Sequence, residues 1–562
     1  MKAAVFAAGV RERLLSFEGL FLLIFLATIA LRFYSLDVKL FHHDEAIHAW
    51  FSYRLLTEGT YTYDPMYHGP FLYYVTAGIF SLLGDSDLVG RLFPALLGTL
   101  LVPLVYPIYR LGYLDKKQTI VAALFLAVSP NMVYFSRFLR NDIFIAFFTM
   151  VLLVALLYYF ERQKMQYALI AGAAIGFGMT AKENMPIIVL IFGAYLLYLI
   201  WTRKVRLPRR WIRDLVLGAL VTIGIMAVFY SSFGAHPEVL MDGWLRAIEH
   251  WTSMHQAQRL GGPPYFYILL FLLYEVPILI LAAIGVLQFV DIPGIISRWK
   301  GRRAGSTESP GEGEETEAEA ETEEAQEIEA PPVGRRSGFK DRLREILSGS
   351  GELLPIDRQK EFARFAIFWM LLSLAVYAYL GEKVPWLILH QLLPMIFVAV
   401  YLMTTKKAVI AVMASVFLIV MTLHVVYTPT DINEPIVQVQ NSEDLREVFA
   451  KIDAADKVAV ATDSYWPLPW YYRGDRASKL AYYSEKVSEA TIYGGNFDLV
   501  ITHDADTYPT LEGYVKETYR LNYWFSYEEN KNRLPEYYFL RDGKMGSRNL
   551  EVFSRVPTGT TA

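Results

Sequence analysis

The chain has no cysteine among its 562 residues. Disulfides, thiol catalysis and cysteine-based metal sites are therefore excluded, and any domain outside a membrane must hold together by packing alone. Neither a Walker A loop nor a dinucleotide glycine motif occurs, so ATP-driven transport and nucleotide binding have no visible support. No basic stripe with interleaved aromatics runs along the chain, which argues against a nucleic-acid partner. HExxH spacing is missing as well. Histidine is scarce, ten in all, yet His42, His43 and His48 fall within seven positions.

What the chain has in excess is apolar surface. Hydrophobic residues make up 54% of it, gathered in long blocks rather than spread through periodic elements, the texture of a membrane protein. A helix needs about 20 apolar residues to cross the hydrocarbon core. Spans are expected near 17–34, 88–110, 119–135, 143–160, 166–180, 185–201, 212–232, 265–290, 363–380, 385–404 and 408–426. The first is expected to be a retained helix rather than a signal peptide, because no small-x-small site follows it. With the N-terminus in the cytoplasm, Lys/Arg-bearing segments at 110–117, 161–164, 203–213, 291–362 and 404–407 all fall inside. The apolar stretch 67–84 would invert every later loop if it spanned, so it is expected to be an interfacial or re-entrant helix.

These readings predict a polytopic α-helical membrane protein of about 11 transmembrane helices with a small C-terminal α/β extracytoplasmic domain. Residues 1–300 form a transmembrane module with a long first external loop, 35–87. Residues 301–360 form an acidic cytoplasmic linker, too charged and too poor in aromatics to fold. Residues 361–426 return to the membrane, and 427–562 form the outer domain. The expected location is the plasma membrane. Net charge is −4, much of it from the acidic tract 308–329.

Four outer segments carry ionisable residues close to helix ends. Phe41-His42-His43-Asp44-Glu45-Ala-Ile-His48 brings two adjacent carboxylates, one of them a candidate general base; Asp44 and His48, four apart, share a helical face. Taken alone, this motif reads equally as a helix cap in a solvated loop. Ser136-Arg137-Phe-Leu-Arg140-Asn-Asp142 places two arginines three apart on one helical face, where they read either as a grip on a phosphate or as anchors at a membrane end. Lys182-Glu183 sits in a loop so short that both charges lie at the bilayer boundary, where they must be paired or functional. Glu382-Lys383-Val-Pro-Trp386, with His390 one turn on, repeats the pattern, and His68 belongs to the same layer. Cations that hold a phosphate beside a carboxylate that takes a proton suit a lipid-linked anionic substrate. His43 and His48 are candidate ligands for a divalent metal such as Mn, Mg or Zn. The aromatic run Trp466-Pro-Leu-Pro-Trp470-Tyr reads either as a sugar-stacking surface or as the core of a small domain.

The order of these motifs resembles the GT-C superfamily of polyprenyl-phosphate-sugar glycosyltransferases, in its protein O-mannosyltransferase-like and aminoarabinose-transferase-like branch. The resemblance rests on Asp44-Glu45, Tyr67-His-Gly-Pro-Phe-Leu, Leu88-Val-Gly-Arg-Leu-Phe-Pro, Ser136–Asp142 and Thr180-Ala-Lys-Glu183, and covers roughly residues 15–430. Gly381-Glu-Lys-Val-Pro-Trp and Trp466-Pro-Leu-Pro-Trp470 also resemble a prokaryotic subgroup labelled flippase-activity-associated. The resemblance implies inverting transfer from a lipid-phosphate sugar to a protein or glycolipid acceptor of the cell envelope. It makes Asp44 the catalytic base, supported by Glu45 and Asp142. Where relatives carry a lysine before the prolines, this chain has His68-Gly69-Pro70. Donor-phosphate binding is then expected of His68, Arg137, Arg140, Lys182 and Lys383, with Glu183, Glu382, Trp386 and His390 contacting substrate. The rival expectation is a non-catalytic flippase or transport partner that binds lipid-linked oligosaccharide.

Overall fold

The computed structural model describes residues 12–59, 61–257, 262–291 and 353–556. Most of the expected acidic linker lies outside them. Each expected span falls on a helix. Among the described residues, five helices are long and apolar enough to cross a membrane unaided: Asp87–Arg110, Asp142–Arg162, Trp211–Tyr230, Arg358–Tyr379 and Thr405–Tyr427. Two bent pairs, Lys116–Val128 with Pro130–Ser136 and Phe266–Tyr274 with Val276–Val290, raise the number to seven if each is one broken span. The remaining four expected spans are shorter apolar helices: Phe17–Phe33, Met165–Ala181, Met185–Trp201 and the Pro385–Ala399 segment. The difference from about eleven is one of length and bending, not of place. The chain is a polytopic helical membrane protein.

Helix Phe71–Leu83 occupies the ambiguous stretch 67–84 and has 13 residues. At 1.5 Å per residue it is about 20 Å long, too short to span by itself. Elsewhere glycine allows backbones to close up. A Cβ on Gly172 would lie 2.3 Å from the carbonyl oxygen of Gly218, so helices Met165–Ala181 and Trp211–Tyr230 meet nearly in contact.

After residue 427 the chain forms a six-stranded mixed sheet: β1 (Gln440–Asn441), β2 (Val458–Val460), β3 (Leu480–Tyr482), β4 (Leu499–His503), β5 (Tyr514–Phe525) and β6 (Met545–Arg555). Its strand order is β1-β5-β6-β4-β2-β3. β2 is parallel to β3 and β4, whereas β6 runs antiparallel to β4 and β5. The aromatic run serves both as core and as joint: Leu468 joins the buried core of the C-terminal sheet, while Trp470 and Tyr471 tie it to the helical body. Trp470 is buried between Phe41 and Phe80. Its indole N–H and the Tyr471 hydroxyl donate to the two oxygens of Asp87 at 2.7 and 2.6 Å.

Candidate functional site

Helix His43–Glu58 starts in a capping box in which His42 takes the place usually held by serine or threonine. Its Nδ1 accepts the Asp44 N–H at 3.0 Å, and the Glu45 carboxylate accepts the His42 N–H at 2.9 Å. The cap sends the two adjacent carboxylates opposite ways. Glu45 is fully buried and accepts from Arg91 at 2.8 and 2.6 Å and from the Leu139 N–H at 2.8 Å. Asp44 stays 27% exposed and accepts from Arg140 Nη1.

Arg140 is the hinge of the site. Its Nε lies 3.6 Å from Asp142, and its guanidinium sits 3.8 Å from the centre of the Trp386 ring. Asp142 is buried and accepts from Lys182 Nζ at 2.9 and 3.0 Å; His390 Nε2 approaches it at 3.3 Å. One guanidinium thus touches both Asp44 and Asp142. Next to them, His68 Nδ1 pairs with Glu183 at 3.0 Å, and the His68 ring lies parallel to Trp251, 5.3 Å away. Gly69 makes this possible: a Cβ there would sit 2.1 Å from the Thr180 carbonyl oxygen, so no larger residue lets the 67–70 turn lie against Lys182-Glu183.

The electrostatics follow from burial and neighbours. Burial pushes the Asp44 carboxyl up, but Arg140 and the adjacent histidines outweigh it and hold it well below the usual carboxylate range. His42 and His48 are pushed down by burial to about 4 and about 3, with Arg140 adding to the effect at His48. Both rings are neutral at physiological pH. His68 is also lowered, by burial first and then by Lys182, against the opposing pull of Glu183.

Several predicted residues lie elsewhere or do something else. Arg137 and Arg140 do not share a helical face, because helix Pro130–Ser136 ends just before them. Arg137 donates instead to the carbonyls of Arg32, Tyr34 and Ser35 at 3.0, 2.6 and 2.5 Å, closing the end of helix Phe17–Phe33. Lys383 donates to the carbonyls of Tyr377, Ala378 and Leu380, capping helix Arg358–Tyr379. Trp386 is the platform under Arg140, and Glu382 is half-buried on the turn before Lys383. His48 Nδ1 hydrogen-bonds to the Tyr73 hydroxyl at 2.7 Å, and His43 is half-buried on the first helical turn. Among the described residues no three His, Asp or Glu side chains are grouped to hold a metal ion. His43 and His48 belong to no such group.

The sequence reading missed Arg91, Trp251 and Tyr63. A lone arginine in the first turns of an apolar span was the available signal for Arg91. Trp251 belongs to helix Val239–Ala257, an amphipathic segment where no element was expected. Tyr63 donates to Glu183 at 3.4 Å. Tyr63, Glu183 and Trp251 also line a largely apolar cavity of about 460 Å³, together with Met179, Met226 and Tyr230.

Fold and centre together define a multi-pass membrane protein whose helices converge on two carboxylates bridged by a guanidinium. Residues 67–230 match the family of dolichyl-phosphate-mannose-protein mannosyltransferases, which bears out the resemblance to the GT-C superfamily of membrane glycosyltransferases. No curated protein matches in sequence. Among solved structures, the chain is similar to ArnT from Cupriavidus metallidurans in the apo state (14% identity, TM-score 0.46, 94% of this chain and 97% of that one). It is also similar to the oligosaccharyltransferase of Archaeoglobus fulgidus (15% identity, TM-score 0.43, 81% of this chain). The chain spans 63% of the length of that archaeal protein. With the S. cerevisiae protein O-mannosyltransferase complex it shares 21% identity at a TM-score of 0.30, over 44% of this chain and 34% of that one.

Proposed function

We propose that this chain transfers a sugar from a polyprenyl-phosphate donor to an acceptor at the extracytoplasmic face, with inversion at the anomeric carbon and phosphate as leaving group. The observation that carries the reading is the guanidinium of Arg140 shared between Asp44 and Asp142. Asp44, the more exposed carboxylate, takes the proton of the acceptor's attacking group. Arg140 and Lys182 offset the charge that develops on the departing phosphate. A donor phosphate arriving at Arg140 competes with Asp44 for the guanidinium, so donor binding loosens the pair and raises the basicity of Asp44. Asp142 positions Arg140 and Lys182, and Glu45 acts through the helix start rather than on substrate. The apolar cavity beside Glu183 is suited to the first units of a prenyl chain. The family matched over residues 67–230 supports a lipid-phosphate donor.

The test is Asp44→Asn in membranes supplied with radiolabelled polyprenyl-phosphate sugars. Transfer is expected to be lost while the protein stays inserted and still binds donor. Unchanged transfer by the stable variant overturns the assignment, and lipid translocation that persists in it would favour a transport role. Mass spectrometry of glycans and glycolipids in cells lacking the chain identifies the sugar and the protein or glycolipid acceptor.

A further inference from the structure

Away from the carboxylate centre, exposed apolar side chains gather where the helical body meets the C-terminal sheet. Helix Phe266–Tyr274 (FYILLFLLY) contains no charge and turns by 111° from Val276–Val290. Tyr265, Ile268 and Leu272 are exposed along the shorter helix. Helix Leu534–Leu540 of the C-terminal region lies beside it. The two enclose an apolar cavity of about 320 Å³, walled by Leu269 and Leu273 on one side and by Pro535 and Tyr538 on the other. The Tyr265 and Tyr527 hydroxyls meet across the joint at 2.9 Å. On the outside of this helix Phe539 is 79% and Leu540 71% exposed.

Single exposed apolar residues need no explanation, but a contiguous patch does. Here helix Leu534–Leu540 lines the same apolar cavity as helix Phe266–Tyr274, on which Ile268 and Leu272 are exposed. Arg533 and Arg541 flank the helix Leu534–Leu540 at its two ends, Arg533 paired with Glu536 and Asp542 at 2.9 and 3.0 Å and Arg541 3.6 Å from Glu434. Exposed apolar side chains edged by ionised groups suit a segment lying in the headgroup layer, where one side is apolar and the other wet.

We propose that helix Leu534–Leu540 seats Phe539 and Leu540 in the interfacial layer of the bilayer, alongside helix Phe266–Tyr274, and so tethers the C-terminal sheet to the membrane. The seat has a route to the candidate centre. The cavity behind it is also lined by Gln438, whose carbonyl holds His42, the cap of the Asp44 helix.

The absence of cysteine allows a direct test on the full chain. Phe539→Cys and Leu540→Cys each introduce one labelling site, and Glu512→Cys supplies the control. Glu512 stands just before Tyr514, at the far end of β5 from Phe525, about 35 Å along the strand. Each variant is labelled with an environment-sensitive fluorophore in phosphatidylcholine–phosphatidylglycerol nanodiscs. At 539 and 540 the emission should shift to the blue, iodide quenching should fall severalfold below the control, and acyl-chain nitroxide lipids should quench strongly. At 512 the pattern should reverse. Iodide quenching at 539 and 540 equal to the control overturns the proposal. Protection from both iodide and nitroxide lipid also overturns it, since a protein partner or a second copy would then cover the patch. The readout is independent of the transferase reading and survives its failure.

Discussion

Arg140 is bonded to one carboxylate, lies near a second and stacks on an indole, so replacing it separates the electrostatic role of the centre from its architecture. In Arg140→Gln the buried Asp142 keeps Lys182 and His390. The cost of about 3–5 kcal/mol for stripping a buried charge of its partner is therefore not met in full. What is lost is the partly exposed contact to Asp44 and the stack on Trp386, the latter worth about 0.5–2 kcal/mol. A stability loss of about 1–2 kcal/mol is expected on that basis. Transfer should suffer far more, by about 10²–10³-fold, the usual effect of removing one preorganised donor from developing negative charge. The pH profile should move as well. In the native chain Arg140 holds the Asp44 carboxyl below the usual range. Without it burial prevails, the carboxyl protonates at a higher pH, and the acid limb of kcat/KM shifts upward. Arg140→Lys, which keeps charge but not the fork that reaches both carboxylates, should fall between. The assay is release of radiolabelled sugar from its polyprenyl phosphate across a pH series, alongside the melting temperature of the purified protein. A folded Arg140→Gln protein with native kcat/KM and an unmoved acid limb would falsify the shared-guanidinium mechanism.

Three further expectations separate structural from chemical roles. Glu45→Ala leaves Arg91 buried against carbonyls without its carboxylate and should cost about 3–5 kcal/mol in stability; Glu45→Gln should cost less, and thermal unfolding of both variants checks the order. Arg137→Met should lower the melting temperature by releasing the end of helix Phe17–Phe33, yet leave donor affinity unchanged; a selective loss of lipid-phosphate binding would restore the phosphate role expected from sequence. His42 is held down to about 4 from 6.5, so the unfolded chain takes up a proton before the folded one does. Its contribution is present above pH 6.5 and is lost as pH falls toward 4, by up to about 3 kcal/mol, which unfolding curves between pH 7 and 4 should reveal.

The spans were legible because a bilayer demands long apolar helices whatever their neighbours are. Each expected segment falls on a helix, although several are short or broken, since bends such as those at Ser129 and Glu275 depend on packing that hydropathy does not record. In the C-terminal region, the strands around Val458–Val460 and Leu499–Ile501 were legible as short buried runs. The β5–β6 hairpin was not, because much of the first half of β5 is exposed and charged and presents no clean alternation of period two.

For the candidate centre, residue types and their spacing determined which ionisable groups sit near helix ends, and that Asp44 and His48 share a helical face. Composition alone excluded thiol and disulfide chemistry. Only the tertiary structure decided the partners. Asp44 and Glu45 are neighbours in sequence, yet one faces Arg140 and the other Arg91, because a side chain's direction depends on where the helix begins. Arg137 and Arg140 look equivalent until helix Pro130–Ser136 stops short of them and sends one to backbone carbonyls and the other to carboxylates. A charge pattern records which groups are available. Which of them meet is decided by burial, since a buried charge is costly unless it is paired and hydrogen-bonded.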